Sequence, residues 1–321
     1  MKVLWTVVVL LANSPGLAAA SADPATEIKR VGILRADPSY DLWFDAFRKT
    51  LQTLGHVEGR NVAYDYRLAP PAELQQAAKD LAASDVDLLV AGGTPAALAA
   101  KQASTSVPIV FVAADPIGSG LVASLARPGG NATGVASMTA ELGVKRLELL
   151  RELLPRATRL AVLINPDNPV SATQLRALEP VAANLGFRLK ILNVRRREDL
   201  DGALGVLDRK HFDAFIVVLD AVLFGNEARI AQHSVKGKVP GVFALRAAVD
   251  AGGLVSYGAD VYALFHKAAG MADKVLRGMK PADLPVEQPE RFELVVNLKT
   301  AKAMGLTVPE SVLLRADDVI R

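Results

Sequence analysis

The residues best suited to chemistry follow short apolar runs. Arg35, Asp37 and Tyr40 come after "RVGIL", Gly92, Gly93, Thr94 and Pro95 after "DLLVA", and Asp115 after "PIVFVAA". A second set repeats the plan, with Asn165, Asp167 and Ser171 after "RLAVLI", Asp220 after "AFIVVL" and Arg246 after "VPGVFAL". Tyr257 lies on a later extended segment. Gly92 and Gly93 have no Cβ to obstruct a ligand or forbid positive φ. Thr94 suits a helix cap and Pro95 the first helical position. The amides that follow would stand free at the positive end of a helix, a cradle for carboxylate or phosphate. The same residues also make an ordinary strand-to-helix turn, and alone they support both readings. Asp115 and Asp220 are carboxylates behind runs apolar enough to be buried, where a carboxylate needs hydrogen bonds or a cation. Two of them at matching places would suit an ammonium group, although each alone would also serve as a helix cap. Arg246 reads either as a bidentate carboxylate clamp or as a surface residue. Tyr40, Trp43, Phe224 and Tyr257 are candidates for an apolar wall, with Trp43 and Phe224 equally suited to helix-face core.

A catalytic or metal site is harder to assemble. His56, His211, His233 and His266 fall on helices or turns, and no two have the i, i+4 spacing of a helical metal pair. No G-x-S-x-G elbow, P-loop or G-x-G-x-x-G after the first strand occurs. The chain has no cysteine, which excludes disulfides, thiolate catalysis and cysteine metal sites. Neither a cofactor nor a metal is expected. Lys and Arg number 37 against 34 Asp and Glu, and the resulting +3, scattered along the chain, does not suggest a nucleic-acid partner.

These residues need rigid elements to position them. Short apolar runs alternate with amphipathic stretches, as in "RVGIL" followed by residues 40–55 and "DLLVAGG" followed by "TPAALAAKQAS". "PIVFVAA" and "PIGSGLVASLA" read as the next strand and helix. This is the signature of parallel sheets with helices on both faces, where ligands bind outside the carboxyl ends of the strands. "RPGGNATGVAS" interrupts the rhythm, which then restarts with helices expected over 140–154, 169–185, 197–209 and 222–236. "RVGILRADP" echoes "RLAVLINPD", and "DLLVAGG" echoes "DAFIVVLD", which suggests two lobes of one topology. Segments after Ala251 come too late to extend either half in order and are natural crossings between lobes. At the start, Lys2, the apolar run "VLWTVVVLLA" and "AAASA" form an export leader, residues 1–22, cleaved near Ala22. It is too short for a membrane span, and without a cysteine behind it a lipid anchor is not expected.

"LGHVEGRNVAYDYR", "VAGGTPAALAAKQASTSVPIVFVAADPIGSGLVASLARPGGNATGV", "AGGLVSYGAD" and "FELVVNLKTAKAMGLTVPESVLLRADDVI" resemble the ABC-transporter substrate-binding proteins of the tryptophan/tyrosine-binding (TrpX-like) family. The resemblance implies a type I periplasmic binding protein: two Rossmann-like doubly wound lobes, three crossovers and a cleft between the lobes. The lobes would comprise 28–137 plus 256–284 and 138–255 plus 285–321. It further implies a monomeric periplasmic protein that captures a small molecule, an aromatic or hydrophobic amino acid, by hinge closure. Its partners would be an ABC permease and ATPase, with no stable membrane insertion. Asp37, Tyr40, Gly93, Thr94, Pro95, Asp115, Asn165, Ser171, Asp220, Arg246 and Tyr257 are the expected ligand contacts. A sensor signalling through a receptor and a secreted α/β enzyme are the alternative readings.

Overall fold

A computed structural model describes residues 28–36, 41–218 and 220–321. The expected leader and two site candidates, Asp37 and Tyr40, lie outside the described residues.

Runs rich in Val, Ile and Leu, buried on both faces, form two sheets. The first lobe contains β1 (Lys29–Arg35), α1 (Asp41–Thr53), β2 (Val62–Leu68), α2 (Leu74–Ala83) and β3 (Leu88–Gly92). It continues with α3 (Thr94–Ala103), β4 (Ile109–Ala113) and β5 (Ala132–Ala136). Its strands are all parallel, in the order β2-β1-β3-β4-β5. The second lobe runs through α4 (Thr139–Leu153), β6 (Arg159–Ile164), α5 (Pro169–Asn184), β7 (Arg188–Asn193) and α6 (Asp199–Gly205). Then come β8 (Ala214–Val217), α7 (Ala221–Phe224), α8 (Glu227–Gly237), β9 (Gly241–Phe243), α9 (Arg246–Asp250) and β10 (Val255–Ala259). The chain returns to the first lobe as α10 (Val261–Leu276), then ends in the second as β11 (Phe292–Asn297), α11 (Leu298–Met304), α12 (Glu310–Leu313) and β12 (Asp318–Ile320). The second sheet reads β7-β6-β8-β9-β10, the order of the first, extended by β11 and β12 with β11 antiparallel.

The echo between the halves has a physical counterpart. The Asp87 carboxylate accepts the Arg30 N–H at 2.8 Å, and the Asp213 carboxylate accepts the Arg159 N–H at 2.8 Å. In each lobe an aspartate before the third strand fastens the start of the first. Hydrogen bonds from the Arg159 side chain and from the amides of Arg159 and Thr158 hold the Asp213 carboxyl well below the usual carboxylate range, although partial burial opposes them.

Three crossings join the lobes: Ser137–Met138 after β5, Asp260 after β10, and residues 288–291 before β11. The expected boundaries shift accordingly. Residues 256–259 pair with β9 and β11 in the second sheet, and Glu287 still bonds to Gly134 and Ala136 of the first. The stretch "RPGGNATG" that interrupts the rhythm precedes the first crossing, because Ala132–Ala136 completes the first sheet.

Two expected helices differ. Residues 116–126 form turns, because Asp115 at φ 40° bends the chain and its carboxylate caps the Gly118 N–H at 2.8 Å. The helix expected over 222–236 breaks into α7 and α8 at Gly225-Asn226, where the Asn226 side chain donates to the Val222 carbonyl at 2.7 Å. Among the described residues no helix is long and apolar enough to cross a membrane.

Candidate functional site

The carboxyl ends of both sheets face a cleft of about 640 Å³, part of it continuous with solvent. Ala36, Gly92, Gly93, Thr94, Pro95 and Ser137 line it from the first lobe, and Asn168, Val170, Asp220 and Phe224 from the second. Val261, Leu264 and Phe265 of the returning helix α10 close one side. Most of this surface is apolar. Among the described lining residues Asp220 is the one ionisable group.

Asp220 is 5% exposed. Asn165 Nδ2 lies 3.2 Å from each carboxylate oxygen, Asn168 Nδ2 donates to Oδ2 at 2.9 Å, and the Val222 N–H donates to Oδ1 at 2.8 Å. Both asparagines are oriented by their other ends. The Asn165 carbonyl accepts the Asp167 N–H at 3.0 Å, and the Asn168 carbonyl accepts the Val170 N–H at 3.1 Å while capping α5. Burial raises the Asp220 pKa, and these hydrogen bonds offset part of the rise. No cation pairs with Asp220 among the described residues. A carboxylate stabilised by dipoles alone, facing an apolar cleft, suits an incoming ammonium group.

Opposite stands the start of α3. Gly93, not Thr94, is its cap residue, at φ 90° and ψ 152°, a conformation reserved for glycine. The Thr94 hydroxyl donates to the Ala114 carbonyl at 3.0 Å and accepts the Ala114 N–H at 3.1 Å, so it ties α3 to the end of β4 instead of capping. Pro95 has no N–H, and the amides of Thr94 and Ala96 precede the first intrahelical bond, from Ala97 to Gly93. Those two amides form the positive end of the helix.

The aromatic wall spans both lobes. Trp43 of α1 meets Phe224 of α7 edge to face at 5.5 Å and lies 6.0 Å from Phe265. Such a pair contributes about 0.5–1.5 kcal/mol beyond its buried area.

The structure therefore brings Gly93, Thr94, Pro95 and Asp220 together at the cleft, with Asn165 one layer behind. Ser171 is buried in the first turn of α5 with its hydroxyl unpartnered. Three candidates go elsewhere. Asp115 is spent on its own turn. Arg246 bonds to Glu293 at 2.9 Å and Asp318 at 2.6 Å, and lies 3.3 Å from Asp250, so three carboxylates already surround it. Tyr257 packs at a tilt beside Phe292, with ring centroids 6.3 Å apart, within the second lobe. The sequence reading missed Asn168, Ser137, Val261, Leu264 and Phe265. Asn168 before Pro169 carries a local signal, a cap followed by a first-turn proline, whereas α10 reaches the cleft only through the crossing at Asp260.

The family model of the ABC transporter substrate binding protein matches residues 31–320. A tyrosine-binding protein of Clostridioides difficile is 29% identical over 284 residues, covering 87% of this chain and 81% of that protein. An ABC domain from Streptococcus pneumonia in complex with L-Trp is 28% identical, covers 92% of this chain and 100% of its own, and has a TM-score of 0.84. The ligand-free, open structure of an adhesive substrate binding protein from Clostridium difficile is 27% identical, with 92% and 99% covered and a TM-score of 0.65. These relatives are binding proteins. A family match running through both lobes, on a fold shared with a ligand-bound relative, makes this chain a member of the ABC transporter substrate binding protein family with the type I periplasmic binding protein fold.

Proposed function

We propose that the chain is the periplasmic solute-binding component of an ABC importer and captures an α-amino acid with an apolar or aromatic side chain. The observation that carries this reading is Asp220, buried, held by neutral donors and open to the cleft. The ligand's ammonium group meets Asp220, and its carboxylate meets the first amides of α3 with the Ser137 hydroxyl nearby. Its side chain lies among Trp43, Phe224 and Phe265. The tyrosine-binding and L-Trp-bound relatives support that ligand class.

Closure follows from the same contacts. Only the closed form touches the ligand from both lobes, so binding shifts the population toward it. At nearly equal identity and coverage, the chain resembles the L-Trp-bound relative more closely than the ligand-free open one, which supports a hinge between two arrangements. The closed monomer then docks on a permease and its ATPase, after export and cleavage near Ala22.

A calorimetric titration with L-tryptophan, L-tyrosine, L-leucine and simple carboxylates tests the assignment. Binding of an amino acid that disappears in Asp220→Ala supports it. Binding of carboxylates without amino acids would sink the amino-acid reading and leave only the α3 cradle.

A further inference from the structure

The cleft has a neighbour. A second cavity of about 640 Å³, also partly continuous with solvent, lies at the hinge beside the crossing at Asp260. Ala244, Leu245 and Glu293 line it from the second lobe, and Trp43, Val261 and Tyr262 from the first. Trp43 and Val261 line the ligand cleft as well, so the two cavities share a wall one layer of side chains thick. Of the three rings in the aromatic wall, Phe224 and Phe265 line the cleft alone, whereas Trp43 faces both spaces. Its indole is 8% exposed and is held edge to face by Phe224 at 5.5 Å, with Phe265 at 6.0 Å. Swinging it aside would break both contacts.

The charged residues around the hinge cavity are already engaged. Arg246 Nη1 donates to Glu293 at 2.9 Å. The Asp260 carboxylate accepts the N–H groups of Tyr262 and Ala263 at 2.9 and 3.3 Å, as the cap of α10. With those charges paired, the surface left for an occupant is the apolar side of Ala244, Leu245 and Ala259. An apolar ring entering this space would gain free energy in proportion to the area it removes from water. The cavity is therefore able to take a hydrophobic group, and the indole of Trp43 stands between it and the cleft.

We propose that Trp43 is a specificity-determining residue: it ends the ligand cleft at the length of one aromatic side chain and closes off the hinge cavity, so that amino acids with longer aromatic side chains are rejected. The inference rests on the reading of the cleft as an amino-acid site. With the ligand's ammonium group at Asp220 and its carboxylate at α3, its side chain runs toward Trp43, and a longer one continues into the hinge cavity only if the indole is removed. A clash with a packed ring excludes the longer ligand more effectively than any missing attraction could.

The test compares L-tyrosine with O-benzyl-L-tyrosine, the same amino acid lengthened by one ring, in calorimetric titrations of the full chain. The unaltered protein should bind L-tyrosine and take the longer ligand about tenfold more weakly or worse. Trp43→Ala should reverse that order. Trp43→Leu, which keeps an apolar side chain in the core, should shift it in the same direction and serves if the alanine variant does not fold. Ala259→Phe fills the hinge cavity from a residue that does not line the cleft; Gly258 does not suit, because a Cβ there would stand 1.9 Å from the Ala244 carbonyl oxygen. Added to Trp43→Ala or Trp43→Leu, Ala259→Phe should cancel the gain for the longer ligand. Alone, it should leave L-tyrosine affinity unchanged, and a loss there would mean that the hinge cavity already takes part in binding, which overturns the partition. Equal binding of both ligands by the unaltered protein overturns the proposal, as does a loss for both in equal proportion in the Trp43 variants. A crystal structure of Trp43→Ala adds a readout that needs no ligand: the two cavities should be continuous, and Phe224 or Phe265 collapsing into the vacated space to keep them apart overturns the role of the indole. Failure of the unaltered protein to bind any amino acid overturns the ligand class and the length limit together, whereas L-tyrosine binding without the reversal overturns the length limit alone.

Discussion

Asp220 is stabilised by Asn165, Asn168 and the Val222 amide rather than by a cation, so its charge is exposed to the consequences of burial. Truncating one partner of a buried charge pair costs about 2–5 kcal/mol, which corresponds to affinity about 30-fold weaker or worse. Asp220→Ala should show that loss in calorimetry, and Asp220→Asn should lose affinity while keeping its fold. pH acts on this residue in two directions. Its folded pKa is raised, so its stabilising contribution is present at low pH and is lost as pH rises through the folded value. The proposed ammonium contact, by contrast, needs the ionised form. The empty protein should therefore gain stability from Asp220 on acidification as amino-acid affinity falls. Melting curves and titrations across pH 4–7, compared with Asp220→Asn, check both signs. Asp115 teaches the converse. A carboxylate after a buried strand looks like a ligand group in sequence, but at φ 40° its side chain turns back onto Gly118, and nothing local to the sequence announces that angle.

At the level of elements, α3 is the best-specified part of the site. Gly93 adopts φ 90° and ψ 152°, and a side chain there is strained by about 1–3 kcal/mol. Gly93→Ala should lower the melting temperature by several degrees and weaken ligand binding through the displaced amides, both visible in a thermal-shift titration. Thr94→Val leaves the Ala114 N–H and carbonyl without their partner and should cost about 1–3 kcal/mol in a denaturant melt. An unchanged midpoint would mean that the bridge to β4 contributes nothing. The glycines, the threonine and the proline were legible because capping and φ preferences are local properties. What they were for was not, since the Thr94 hydroxyl finds its partner 20 residues away.

At the scale of the whole molecule, the proposed closure depends on the relation of its lobes. Trp43 and Phe224 come from opposite lobes and meet at 5.5 Å, with α3 and α5 approaching across the same cleft. Ligand binding should reduce the scattering radius in solution. Phe224→Ala should weaken binding and enlarge that change, because the empty closed form loses a cross-lobe contact. An identical radius with and without a saturating amino acid would argue against hinge closure.

The sequence by itself determined the alternation of buried strands and helices, the duplicated topology and the clustering of polar groups at strand ends. Each of these follows from hydrophobic periodicity, turn chemistry and repetition, which are written along the chain. Tertiary structure alone decided which strand-end residues share a cleft. It sent Arg246 to three carboxylates and Tyr257 to Phe292, and it brought Phe265 back from a later helix to face Trp43. It also set the buried Arg146 side chain against the Tyr257 carbonyl, 111 residues further along the chain. The reason is geometric: a side chain's partners depend on how the crossings fold the second half against the first, and no local pattern encodes that angle.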